Sequence, residues 1–222
     1  MKYRHEWKHE ITYGDMLILR GRLSKVAGRD SHTVNGKYEI RSLYFDTLTD
    51  KALREKTDGV NIREKFRIRY YNGDLSFIRL EKKSKINGLC LKENALLSAD
   101  CVQAILDGDY SVLIRDSQPL LTELYSKITG DLRPKTIVDY TREPFVFAPG
   151  NVRITLDYNI RSGLQNTDFL NRTSVTVPVG NTPIILEVKW DEYLPDIIRD
   201  AVRLGNCRVG SFSKYAACRS FG

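Results

Sequence analysis

At 222 residues, 41% hydrophobic and 28% charged, the chain is long enough for one sizeable domain, 1–222, and too short for two ordinary ones with a linker. Its 15 Gly, 7 Pro and mean hydropathy of -0.37 exclude collagen-like, low-complexity and disordered classes. No run approaches the roughly 18 apolar residues of a membrane-spanning helix, and the charged opening segment lacks the apolar stretch of a secretory signal, so a cytoplasmic protein is expected.

Thr12-x-x-Asp15 has the form of a capping pair, and Met16, Leu19, Leu23 and Val26 recur at helical spacing behind it, which predicts a helix. A strand follows at 40–45. A short helix at 49–57 can be ended by Gly59, and 61–71 reads as a long strand. Asn72-Gly73-Asp74 turns the chain back into a strand at 75–85, and Asn87-Gly88 makes a hairpin into 89–96. Helices are predicted at 99–106 and 120–129. Strands resume at 136–142, 144–147, 152–158, 174–178 and 184–190, and the chain closes with helices at 195–204 and 212–219. Hairpin-connected strands with helices outside them indicate an antiparallel α+β architecture rather than a parallel one.

The net charge is +7, and its placement matters more than its size. Between Arg63 and Lys92 there are nine Lys or Arg against three Asp or Glu, a balance of +6, so the partner of this stretch should be anionic. The four cysteines, Cys90, Cys101, Cys207 and Cys218, are far apart and form no Cys-x-x-Cys pair, so we read them as reduced packing residues. His5, His9 and His32 read as surface residues.

Alternate residues of a strand face opposite ways, so parity sorts the charges. Arg63, Lys65, Arg67 and Arg69 share one face, opposed by Phe66, Ile68 and Tyr70. Arg79, Glu81 and Lys83 oppose Ile78 and Leu80, and Arg153, Thr155 and Asp157 oppose Ile154, Leu156 and Tyr158. Glu187 and Lys189 oppose Leu186, Val188 and Trp190, while Arg4, Glu6, Lys8 and Glu10 stand together near the start. On one strand, such a face is ordinarily a solvated one. Across five strands the faces are dominated by Arg and Lys, and like charges on neighbouring strands repel unless an anion lies between them. Curling the sheet would turn those faces inward, and a basic tunnel with a few carboxylates suits a polyphosphate with a divalent metal.

Ile40-Arg-Ser-Leu-Tyr-Phe-Asp-Thr47, Lys65-Phe-Arg-Ile-Arg69, Leu80-Glu-Lys-Lys83, Tyr140-Thr-Arg142, Val152-Arg-Ile-Thr-Leu-Asp157, Leu186-Glu-Val-Lys-Trp190 and Ser213-Lys-Tyr215 resemble, in order and spacing, the VTC domain. That is the polyphosphate polymerase domain of the vacuolar transporter chaperone family, within the CYTH-like triphosphate tunnel metalloenzymes. The resemblance implies a closed antiparallel β-barrel with helices packed outside. Lys8, Arg67, Arg69, Lys83, Arg142, Arg153 and Lys214 would bind phosphates, and Glu187 would bind Mn2+ or Mg2+ with Glu6 and Glu81 as helpers. The implied reaction moves the terminal phosphoryl group of ATP onto a polyphosphate chain. Where the superfamily signature is Glu-x-Glu-x-Lys, this chain has Glu6-Trp7-Lys8-His9-Glu10.

Two other readings use the same cradle: a nucleoside triphosphate or tripolyphosphate hydrolase, and a module that binds polyphosphate without turnover. A nucleic-acid partner ranks last, because Phe66, Ile68 and Tyr70 point away from Arg67 and Arg69 and leave no base-stacking platform. The sequence has no Gly-x-x-x-x-Gly-Lys loop and no Gly-x-Ser-x-Gly elbow. Lys189 is the alternative partner for Glu187, although same-face neighbours on one strand stand about 6 to 7 Å apart, a long reach for a direct pair.

Overall fold

Thr12 opens the first helix as its spacing predicts. Its Oγ1 accepts from the Asp15 amide at 3.2 Å, and Asp15 Oδ2 accepts from the Thr12 amide at 3.0 Å, so two unpaired donors at the helix start are satisfied reciprocally. The computed structural model describes residues 4–87, 89–180, 182–205 and 208–221, which leaves Cys207 and the Gly88 half of the predicted turn outside the described residues. In chain order the elements are β1 (His5–Ile11), α1 (Tyr13–Val26), β2 (Gly28–Arg29), β3 (Tyr38–Thr47), α2 (Lys51–Thr57), β4 (Ile62–Tyr71), β5 (Ile78–Ile86) and β6 (Leu89–Leu97). There follow α3 (Ala99–Asp107), α4 (Pro119–Gly130), β7 (Leu132–Phe147), β8 (Val152–Ser162), β9 (Val177–Pro178), β10 (Ile184–Trp190), α5 (Asp196–Ala201), β11 (Arg208–Val209) and α6 (Lys214–Phe221).

The two strands predicted at 136–142 and 144–147 are one, β7, which runs through Pro144: a proline removes one ladder donor without forbidding extended backbone. The strand predicted at 174–178 shrinks to the two residues of β9. The Asn87 turn is a two-residue loop, since Ile86 pairs with Leu89, and Asn87 takes the left-handed φ of +48° that such a turn requires.

All ladders are antiparallel, in the order β11-β1-β10-β8-β7-β3-β4-β5-β6. The sheet curls strongly but stays open, which corrects the expected closed barrel. Among the described residues its ends meet through one isolated bridge, Arg4 with Cys90, while β11 occupies the edge of β1 at His9 and Glu10.

The outward face is covered as the apolar parity requires. Phe66, Ile68, Ile78 and Leu80 pack against Val102 and Ile105 of α3 and Leu121, Leu124 and Ile128 of α4. Ile154, Leu156, Leu186 and Val188 pack against Met16, Leu19 and Leu23 of α1 and Ile198 of α5. Burying side chains of this size contributes roughly 1.5–3 kcal/mol each. The expectation that every helix lies outside is also corrected. Tyr215 and Cys218 of α6 and Leu53 of α2 pack with Tyr38, Ile40, Tyr44 and Tyr140, whose β3 members share the parity of the inward-facing residues. These two helices are fastened by Asp46. Its carboxylate accepts from the Ala52 and Leu53 amides at 2.8 and 3.1 Å and from the Tyr215 hydroxyl at 2.6 Å.

Candidate functional site

The inward faces of the curled sheet enclose a cavity of about 350 Å³. Eleven Lys or Arg and three Glu line it, and all ten residues singled out from the sequence are among them: Glu6, Lys8, Arg67, Arg69, Glu81, Lys83, Arg142, Arg153, Glu187 and Lys214. Strand register sets their positions. Lys8 stands opposite Glu187 and Glu6 opposite Lys189 on β1 and β10; Arg142 stands opposite Asp157, and Arg67 opposite Glu81. One row breaks this alternation: Lys65, Lys83 and Lys92 face one another across β4, β5 and β6. Neighbouring like charges of this kind destabilise a sheet unless an anion lies over them.

Glu81, 1% exposed, is held by three cations. Arg67 approaches at 2.6 Å, Lys92 at 2.5 Å and Arg69 at 3.7 Å. Burial works to raise its pKa, but Arg67, Arg69 and Lys92 outweigh it and hold the carboxyl well below the usual range. Arg67 also donates to the Tyr44 hydroxyl at 2.7 Å, and Arg69 donates to Ser42 Oγ at 2.9 Å and to the Tyr140 hydroxyl at 3.0 Å. Both guanidinium groups are thereby oriented before any ligand arrives.

Asp157 organises the opposite wall. It is fully buried, accepts two bonds of 2.7 Å from Arg142 in fork geometry, and accepts another of 2.6 Å from Lys214 at the start of α6. Against the burial that would raise it, Arg142 and Lys214 lower its pKa to about 2. Lys214 therefore reaches the cavity because α6 lies on the inward side. Arg153 is placed at the cavity edge, 3.4 Å from Asp30.

Glu6 and Glu187 form the acidic pair. Lys8 lies 3.2 Å from Glu6 and 3.8 Å from Glu187, Lys189 lies 3.5 Å from Glu6, and Lys83 reaches Glu6 at 3.1 Å. Burial and the neighbouring Glu187 push the Glu6 pKa up, but Lys8, Lys83 and Lys189 pull it down to about 2. Lys189 also pairs directly with Glu187, so the reach along one strand is shorter than backbone spacing suggested: a long flexible side chain can fold back onto its own strand.

Lys65 makes no ion pair among the described residues and stands 5.6 Å from the centre of the Tyr44 ring. Burial first, then Lys83, Arg67 and Lys8, outweigh the help of Tyr44 and push its pKa down to about 7. Tyr44 moves the same way: burial would raise it, but Arg67, Lys65 and Arg69 bring it to about 7. The Thr155 hydroxyl, opposite Glu187 on β8, is buried in the cavity wall with no hydrogen-bond partner among the described residues.

Sequence reasoning left Lys65, Lys92, Lys189, Tyr44, Tyr140 and Thr155 out of the site. For Lys92 a signal existed: a two-residue turn at Asn87-Gly88 places it opposite Lys83. Lys65, Thr155 and Lys189 had inward parity, whereas the two tyrosines are recognisable only once α6 is in place.

Comparison with known proteins places this arrangement. The sequence profile described as the VTC domain matches residues 3–221. A Bacillus halodurans structure described as a "putative adenylate cyclase" superposes with a TM-score of 0.51 at 13% identity, covering 85% of this chain and 80% of that one. A Pyrococcus horikoshii OT3 protein gives 0.48 at 15% identity, with 90% and 84% covered. At 13% identity the likeness to the Bacillus halodurans structure is one of fold alone. No curated protein matches the sequence.

Proposed function

Because the chain belongs to the VTC domain family, we propose that it is a polyphosphate polymerase, transferring the terminal phosphoryl group of ATP to a polyphosphate chain held in the basic cavity. The observation that carries this reading is the excess of cations over carboxylates in the lining, eleven against three, with Lys65 left without an ion pair among the described residues beside Lys83 and Lys92, which share Glu6 and Glu81 with other cations. A linear phosphate chain lying across these lysines would neutralise the excess, and few other ligands carry so much charge in so narrow a space.

Arg67, Arg69 and Arg142 offer guanidinium forks already fixed by Glu81, Tyr44, Tyr140 and Asp157, which suits them to bind phosphate oxygens and orient the transferred group. Lys8, Lys83 and Lys214 add point charges, and Arg153 extends the cradle to its edge. Phosphoryl transfer asks mainly for positioning and charge stabilisation, both of which these residues supply.

The residues present fit a divalent cation. Glu187 and Glu6 are adjacent inward carboxylates, and their oxygen chemistry suits Mg2+ or Mn2+. Among the described residues no cluster of three or more His, Cys, Asp or Glu occurs, so phosphate oxygens and water would complete the shell. Glu81 is committed to Arg67, Arg69 and Lys92 and would join only by exchanging them. When bound, the ion supplies charge neutralisation on the phosphoryl group.

The test is to incubate purified protein with ATP and manganese and to separate long polymer from free phosphate. Polymer is the expected product. Phosphate alone would make the protein a hydrolase, and neither would leave a binding module.

A further inference from the structure

A second basic surface lies outside the cavity. Lys56 of α2, Arg63 of β4 and Lys85 of β5 line a cleft of about 540 Å³ whose walls also carry Asn61, Ser211 and Ser220. No Asp or Glu lines it among the described residues. Lys56 and Arg63 have neutral partners instead: Lys56 donates to Ser211 Oγ at 2.8 Å, and Arg63 to the Val60 carbonyl. Burial first, then Arg63, Lys8 and Lys85, lowers the Lys56 pKa, the direction set by a part-buried ammonium among other cations.

The cleft is continuous with the main site. A smaller cavity of about 170 Å³ is lined by Lys56, Arg63 and Lys85 together with Lys8, Lys65 and Lys83 of the first cavity, with Glu6 and Glu64 on the same wall. A row of cations therefore leads from the enclosed site to the open cleft. The aromatic ring on the cleft wall, Phe212, packs toward the core around Tyr38 and Tyr215 rather than standing free to stack a base.

Resting on the function proposed above, we propose that this cleft binds the phosphates of a linear condensed phosphate that extend beyond the cavity, so that the protein holds long chains more tightly than a triphosphate. The cavity would hold the reacting end, and Lys56, Arg63 and Lys85 the following stretch.

Calorimetric titration without metal, using tripolyphosphate and long-chain polyphosphate as probes, tests this on the full chain. Combining Lys56→Gln, Arg63→Gln and Lys85→Gln should weaken long-chain binding about tenfold, leave tripolyphosphate within about twofold, and flatten the salt dependence by about 2 for three lost contacts. Lys85→Glu alone should lower long-chain affinity without changing the melting temperature. Parallel losses for both probes, or no loss for either, would overturn the inference. So would single-stranded RNA that binds the wild type as tightly as polyphosphate and is lost in the variant, since the cleft would then serve nucleic acid. A wild type that binds no tripolyphosphate defeats the functional reading itself, whereas equal binding of both probes defeats only the cleft.

Discussion

Lys83 of β5 donates to Glu6 of β1 at 3.1 Å, joining strands near opposite ends of the sheet order. Where the backbone ladder stays open, this pair helps hold the seam, beside the single Arg4 to Cys90 bridge. Glu6→Gln should therefore lower stability by about 1 kcal/mol, the upper end for a partly exposed pair, or about 2–4 °C in Tm for a chain of this length. The same change removes a negative charge beside Lys8, Lys83 and Lys189, so metal-free affinity for tripolyphosphate should rise. Thermal melts and calorimetry check the opposite signs; an unchanged Tm would assign the seam to its backbone contacts.

Glu81 behaves differently because it is buried and serves three cations. Glu81→Gln leaves Arg67, Arg69 and Lys92 without their carboxylate, and losing one partner of a buried network costs about 3–5 kcal/mol. Tripolyphosphate should restore much of that stability by replacing the missing negative charge. Melts with and without the anion decide it, and a loss that ligand cannot repair would make Glu81 a purely structural residue. Truncating Arg67 would likewise remove a structural partner of Glu81, in addition to the phosphate-binding role proposed for it.

Lys65 gives the protein a pH dependence near neutrality. Its folded pKa of about 7 lies below the value of about 10.4 in an unfolded chain, so the unfolded state binds more protons between these limits. Stability of the ligand-free protein should therefore rise with pH across that window, and Tyr44, lowered to about 7, adds in the same sense. A bound polyanion raises both pKa values. Binding of tripolyphosphate at pH 8 should then take up protons, read from titrations in buffers of different ionisation enthalpy. Lys65→Met should reduce this uptake and raise the ligand-free Tm at pH 7 by about 3 °C, the shift for roughly 1 kcal/mol.

Thr155→Val removes a buried hydroxyl that has no hydrogen-bond partner among the described residues. Stability should hold or rise, since an unsatisfied buried polar group costs about 1–3 kcal/mol. Tripolyphosphate affinity should fall about fivefold, equivalent to one hydrogen bond of about 1 kcal/mol, with Thr155→Ser restoring it. Unchanged affinity in the valine variant would place the hydroxyl outside the binding site.

Glu187→Gln should abolish manganese-dependent turnover while tripolyphosphate still binds through Arg67, Arg69 and Arg142. Direct manganese binding should weaken in parallel. Normal activity across a manganese titration would transfer the metal role to Glu6 or Glu81.

Alternation along a strand is a property of a few consecutive residues, and it was enough to put Arg67, Arg69, Lys83 and Glu187 on the inward face and Phe66, Ile68 and Leu80 beneath the helices. The Thr12 capping box and the Asn87 turn were readable for the same reason, because each is complete within a few residues. Other relationships join residues far apart in the chain. Asp157 meets Lys214 only because α6 lies on the inward side, fastened by Tyr215 to Asp46. Glu81 is committed to three cations from two neighbouring strands, and Lys189 reaches Glu187 by a side-chain path that backbone spacing does not describe. Whether the sheet closes depends on twist accumulated over its strands and on which segment takes the edge of β1. Local periodicity thus determined which residues face the cavity, while the long-range packing of strands and helices decided how the charges pair there and left the seam open.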